Sequence, residues 1–323
     1  MNARPRPLRF DSVRNFGRIL ADTRNFVREN FVVFFKTILF LAGPFILLTC
    51  ALEVYYQVNL VKDRDLPFNR LGTYIAFSQI LRELRWALNG FVVAIVVSHF
   101  IKVYREKGPG KFEVGDVTAS LFKDFFGNAF TFLILFGVVA VVTIIPGYLV
   151  MRMASVNISS VIPVIFAGFI AYFLLRFPFW YFIFSVFFAR TSNGKNANVF
   201  QGLGLAGKVF SGNWWQTWAV FFVIWLILFL LGRVISLPAE IAQEIMKLYS
   251  AGFMSEDSEL WRLTLTILGT FAEFAKTAIN SVACITIALH FHSMKEKLDG
   301  EGTKKLIDSI GTKDEDEGIE YTW

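Results

Sequence analysis

The sequence predicts an all-α, polytopic membrane protein. Composition, the lengths of the apolar runs and the basic turns between them carry that reading. With 55% hydrophobic residues, 37 Phe and a mean hydropathy of +0.52, the 323 residues hold more apolar side chain than one soluble core would bury. The apolar runs are about 20 residues long, enough for a helix to cross the hydrocarbon layer, and a helix satisfies its own backbone where no water is present.

Taken in order, residues 1–33 form an N-terminal segment, 34–293 a membrane domain of six helices, and 294–323 a charged tail. The first segment carries seven Arg up to Asn30 and no cleavage-site pattern, so it reads as retained rather than as a secretory signal. Within it Phe10, Val13, Phe16, Leu20 and Val27 follow a helical period against Arg14, Arg18 and Arg28. Such a stripe suits a helix lying on an anionic membrane surface.

Spans are predicted at about Phe34 to Tyr55, Trp86 to Tyr104, Phe130 to Val150, Ile162 to Phe188, Trp215 to Ile235 and Leu263 to Phe291. The first holds Gly43-Pro44, where a kink is expected because proline donates no backbone hydrogen bond. In the second, Gly90, Ala94 and Ser98 form a small-residue stripe that predicts a helix contact. Amphipathic pieces precede the third and fifth spans, at Val114 to Phe125 and Val199 to Phe210. The chain thus reads as three units of surface helix, span, turn and span, a repeat of pattern rather than of residues.

Orientation follows from Lys and Arg. With both termini in the cytoplasm, that side collects the arginines from Arg4 to Arg28, then Lys102, Arg105, Lys107, Lys111, Lys123, Arg190, Lys208 and the tail lysines. The other side keeps Lys62, Arg64, Arg70, Arg82, Arg85, Arg152, Lys247 and Arg262. The net charge of +6 therefore sets topology and does not point to nucleic acid.

Motifs for chemistry are scarce. Gly202 to Gly207 reads GLGLAG and satisfies a dinucleotide fingerprint, but no strand precedes it and a span follows, so a glycine-rich helix packed against the bilayer or another helix is the better reading. His290 and His292 are two apart, on different faces of a helix, and His99 is alone, so no metal or other cofactor is implied. Cys50 and Cys284 both lie in apolar runs and imply no disulfide framework. Walker A, zincin and nucleophile-elbow patterns are missing, so no enzyme is predicted.

Charge within the apolar runs is the exception. Arg176 interrupts the fourth span, where an unpaired charge is costly. On the sixth, Glu273, Lys276, Thr277, Asn280, Ser281 and Cys284 share one side, which must face protein or a wet cavity. The expectation is a network of Arg176, Glu273 and Lys276 at the bundle centre, acting as glue between helices or as a site for a polar solute or lipid head group. Trp214, Trp215 and Trp218 read as interface anchors.

From Arg176 through Trp218, a span, a polar turn, an amphipathic piece and then Gly212, Asn213, Trp214 and Trp215 entering the next span resemble the membrane domain of glycerophosphoryl diester phosphodiesterases and related multi-span bacterial proteins. The sequence departs from that pattern at Ala189-Arg190-Thr191, where relatives would carry an acidic residue, and no catalytic barrel accompanies it. The resemblance implies a stand-alone module of a bacterial cytoplasmic (inner) membrane, with no activity carried over. The leading expectation is an accessory or scaffold protein binding membrane lipids or another membrane protein. The alternative is a transporter or channel for a small polar solute, built on the polar stripe of the sixth span.

Overall fold

The structure, a computed structural model, describes residues 8–60, 68–153, 158–192, 198–250, 259–300, 303–304 and 307, with the backbone alone at 53–54, 56–60, 68–79, 143–153, 158–173, 243, 246–250 and 259–262. The chain is all-α, and no strand occurs among the described residues. Its helices are α1 (Phe16–Thr37), α2 (Gly43–Leu60), α3 (Phe68–Lys107), α4 (Val114–Lys123), α5 (Phe125–Met153), α6 (Ile158–Ser192), α7 (Val199–Ser211), α8 (Trp214–Ser250) and α9 (Glu259–Asp299). Among the described residues five segments are long and apolar enough to cross a membrane: Phe16–Leu52, Ile80–Lys107, Phe125–Val142, Trp214–Ala242 and Leu263–Asp299. The fourth predicted span falls on α6, whose first half is described by backbone only. The expected arginine-rich start at 1–7, the turn at 193–197 and the acidic tail lie outside the described residues.

Two helices form the axis. α9 packs on α1, α2, α3, α6, α7 and α8, and α3 packs on α4, α5 and α6. Their apolar windows are 67% (α3) and 56% (α9) buried, against 22% for α5 and 28% for α8, so α5 and α8 turn most of their apolar side chains outward. That outward surface includes Leu226, Ile227, Leu230, Leu231 and Val234 on α8. It is ordinary for a helix whose surroundings are hydrocarbon. The stripe of Gly90, Ala94 and Ser98 faces inward; a Cβ on Gly90 would stand 2.8 Å from the Phe184 ring of α6. Only glycine permits that approach.

The N-terminal part differs from the surface helix the sequence suggests. Capped by Asn15, whose side chain accepts from the Arg18 N–H, α1 runs on from Phe16 into the first span, so the segment and the span are one rod. At Ile38–Ala42 the rod widens into a π-turn, with the Gly43 N–H donating to the Ile38 carbonyl. Pro44 follows at once and offers no N–H of its own, which accounts for the irregularity falling here. Residues before Asn15 fold back: the Leu8 N–H donates to the Tyr104 hydroxyl at 3.0 Å, and the Arg14 N–H to Ser293 Oγ at 2.7 Å. Phe10 enters the core edge-on to Phe26, Tyr104 and His292. This end of the bundle, with α4 and α7, is called the near end below, and the opposite one the far end.

The two short helices have local reasons to form. At α7, Gln201 N–H donates to Asn198 Oδ1 and Asn198 N–H to Gln201 Oε1, a reciprocal cap. At α4, Asp116 accepts from the Glu113 N–H at 3.0 Å and from Lys107 Nζ at 2.6 Å. Both bonds favour the charged carboxylate, and the Asp116 pKa lies below its ordinary value, mainly through Lys107.

Candidate functional site

Two polar layers sit in this bundle, one at each end. The near layer is built from α3, α4, α5 and α6. Arg190, at the last turn of α6, is 3% exposed and donates to both carboxylate oxygens of Asp124, with Nη2 to Oδ2 at 3.0 Å. Its Nη1 donates to Asn128 Oδ1 at 3.1 Å, Asn128 Nδ2 donates to His99 Nε2 at 2.9 Å, and His99 Nδ1 lies 2.9 Å from Ser120 Oγ. With Asn128 Oδ1 taken by the guanidinium, its amide must donate, so the His99 proton sits on Nδ1 and goes to Ser120. Room for the Arg190–Asp124 pair comes from two glycines. A Cβ on Gly127 would collide with both partners, and one on Gly202 would stand 2.9 Å from Arg190 Cγ. The GLGLAG stretch is thus the face by which α7 lies against α6, with Gly202 and Ala206 buried.

The far layer holds the residues singled out from the sequence, in a different arrangement. Arg176 pairs with Glu83 of α3 at 3.0 Å, while Glu273 pairs with Arg85 of α3 at 3.3 Å and with Lys276 one turn along α9. Of the expected Arg176–Glu273–Lys276 network the Glu273–Lys276 pair is present, while Arg176 and Glu273 each draw a partner from α3 instead of meeting each other. The reason is the length of α3: the helical pattern at Ile75 to Leu84 is continuous with the second span, the helix starts at Phe68, and it brings Glu83 and Arg85 into the bundle. Arg85 and His99 on α3, like Arg176 and Arg190 on α6, are fourteen residues apart, about 21 Å at 1.5 Å per residue, so the two layers stand roughly two thirds of a hydrocarbon thickness from each other.

Between α3, α6, α8 and α9 the far layer opens into a cavity of about 290 Å³. Its far part is lined by Arg85, Arg233, Ser236 and Lys276, and its deeper part by Trp225, Phe221, Val93, Phe184 and Cys284. Thr277 and Asn280 line it as well, whereas Ser281 is fully buried. Asn89 also lines it; this residue is 2% exposed, its Oδ1 accepts from Thr49 Oγ1 at 2.7 Å, and its Nδ2 has no hydrogen-bond partner among the described residues. Phe229 and Arg233, 47% and 61% exposed, stand at the rim, so the cavity opens sideways at α8. The glycine facing it matters too. Gly232 leaves its neighbouring space to the Lys276 side chain, whose Cδ a Cβ would meet at 3.3 Å.

The three tryptophans divide. Trp215 is 71% exposed, Trp214 packs edge-on to Phe210 at the top of α8, and Trp218 turns inward, stacked on Phe222 and edge-on to Phe177. Sequence reasoning missed Asp124, Asn128, Arg190 and His99 as one group, because they lie on separate helices. The available signal was Arg190 ending one span with Asp124 and Asn128 spaced one helical turn apart at the start of another. Among the described residues no three His, Cys, Asp or Glu side chains come together as a metal site.

The chain matches no protein-family model, no curated protein and no solved structure.

Proposed function

We propose that this chain is a non-enzymatic accessory module of a bacterial cytoplasmic membrane, crossing it six times with both termini inside, and that it binds a membrane lipid in the cavity between α3, α6, α8 and α9. One observation carries the reading: the cavity is graded from cationic and polar at its far end to aromatic and aliphatic at depth, and its rim at Phe229 and Arg233 lies on α8, whose outward surface is apolar. A lipid is the abundant molecule whose two ends need those two environments. The transporter reading would want a polar route continuing toward the near end, and the walls at Val93, Phe184 and Phe221 are hydrocarbon.

The test is chemical. Intact protein purified in mild detergent is expected to carry a lipid at near-stoichiometric ratio in native mass spectrometry, and Cys284→Phe, which fills the deep end, is expected to remove it. Equal lipid in both proteins would refute the proposal, as would flux of a small solute through reconstituted wild type that Cys284→Phe abolishes.

A further inference from the structure

We infer that the occupant is an anionic amphiphile whose head group lies among Arg85, Arg233 and Lys276 while one hydrocarbon chain passes Trp225 toward Phe221; this rests on the lipid-binding reading and names its ligand class. Charge is the first argument. Three cations line the far part of the cavity, and the carboxylates paired with them are Glu273, held by Arg85 and Lys276, and Glu240, held by Arg233 at 2.9 Å. Among the described residues no carboxylate lines the cavity, so an anion entering it beside hydrocarbon meets cations alone.

Hydrogen-bond chemistry is the second argument. Ser236 and Thr277 already give their hydroxyl protons to the carbonyls of Gly232 and Glu273, each at 2.9 Å. The groups that line the head-group end are then largely N–H donors: two guanidiniums, an ammonium and the Asn89 amide, whose buried Nδ2 lacks a partner among the described residues. A carboxylate or phosphodiester accepts from all of them, whereas a quaternary ammonium would face like charge. Size is the third. About 290 Å³ is at the small end for ligand cavities, which suits a head group with part of one chain, the remainder leaving by the opening at Phe229.

The decisive experiment reconstitutes the intact protein in phosphatidylcholine nanodiscs doped either with phosphatidylglycerol or with oleate, then measures retained lipid by native mass spectrometry. A preference of about tenfold or more for one anionic species over phosphatidylcholine is expected, corresponding to about 1.4 kcal/mol. The two dopants separate the phosphodiester from the carboxylate. Arg233→Gln with Lys276→Gln is expected to bring the preference close to unity, Arg233→Gln alone to weaken it, and Arg24→Gln, on the exposed face of α1, to leave it unchanged. Phosphatidylcholine held as tightly as either anion, or a preference surviving both substitutions, would overturn the inference while leaving lipid binding standing. Retention of no lipid of any kind would end both.

Discussion

The two polar layers solve the same problem in opposite ways. At the near end, Arg190 and Asp124 are sealed among four helices, and hydrogen bonds run unbroken from Arg190 through Asn128 to His99 and Ser120. At the far end, Arg85, Lys276 and Arg233 keep part of their surface and line a cavity, and among the described residues the buried Asn89 amide has no partner. A completed network fixes which helices touch. An incomplete one beside a cavity leaves something for a ligand to finish, and this is why binding is assigned to the far layer and bracing to the near one.

That contrast can be broken by substitution, most forcefully at the near end. Asp124→Leu strands the Arg190 guanidinium in a dry site and is expected to cost about 3–5 kcal/mol of stability, read as a lower unfolding midpoint in detergent. Replacing both partners, Asp124→Leu with Arg190→Met, is expected to recover most of the loss; a single change costing under about 1 kcal/mol would mean the layer does not brace the bundle. Next in size, Gly202→Leu forces α7 off α6 and is expected to cost about 1–3 kcal/mol by overpacking. At the far end Arg233→Gln should change stability by less than about 1 kcal/mol, since its ion pair is largely exposed, yet it should weaken anionic lipid retention. Smallest is Lys107→Ala, which removes the main cause of the depressed Asp116 pKa. A depressed carboxylate stabilises above its ordinary pKa and loses that contribution as pH falls through the folded value, so the variant's Asp116 should titrate at higher pH by NMR. An unchanged titration would mean that the Lys107 contact is not populated.

Much of the fold is legible in the sequence because hydrophobic length and helical period are local properties. The Gly90 stripe, the amphipathic stretches at Val114 and Val199, and five of the apolar spans each announce themselves within one segment. What escapes is pairing across segments. Nothing in the helical pattern around Glu83 and Arg85 shows which other segment they face, and only the packing of α6 on α3 gives Arg176 its partner. Likewise nothing within 1–33 shows that the period beginning at Phe16 continues unbroken into the membrane, because a surface helix and a spanning one share the same local pattern until the angle between them is known.

The placement of α9 reaches beyond the folded state. It is the last of the long helices to leave the ribosome, yet it touches α1, α2, α3, α6, α7 and α8, and Ser293 on it receives the Arg14 N–H. Until it arrives, the earlier helices lack their shared axis, and Arg85 has no Glu273 to meet. Biogenesis must therefore keep a set of inserted but unassembled helices, charged groups included, waiting for one late arrival, so a nascent chain halted before Glu259 should be the form most readily handed to quality-control proteases.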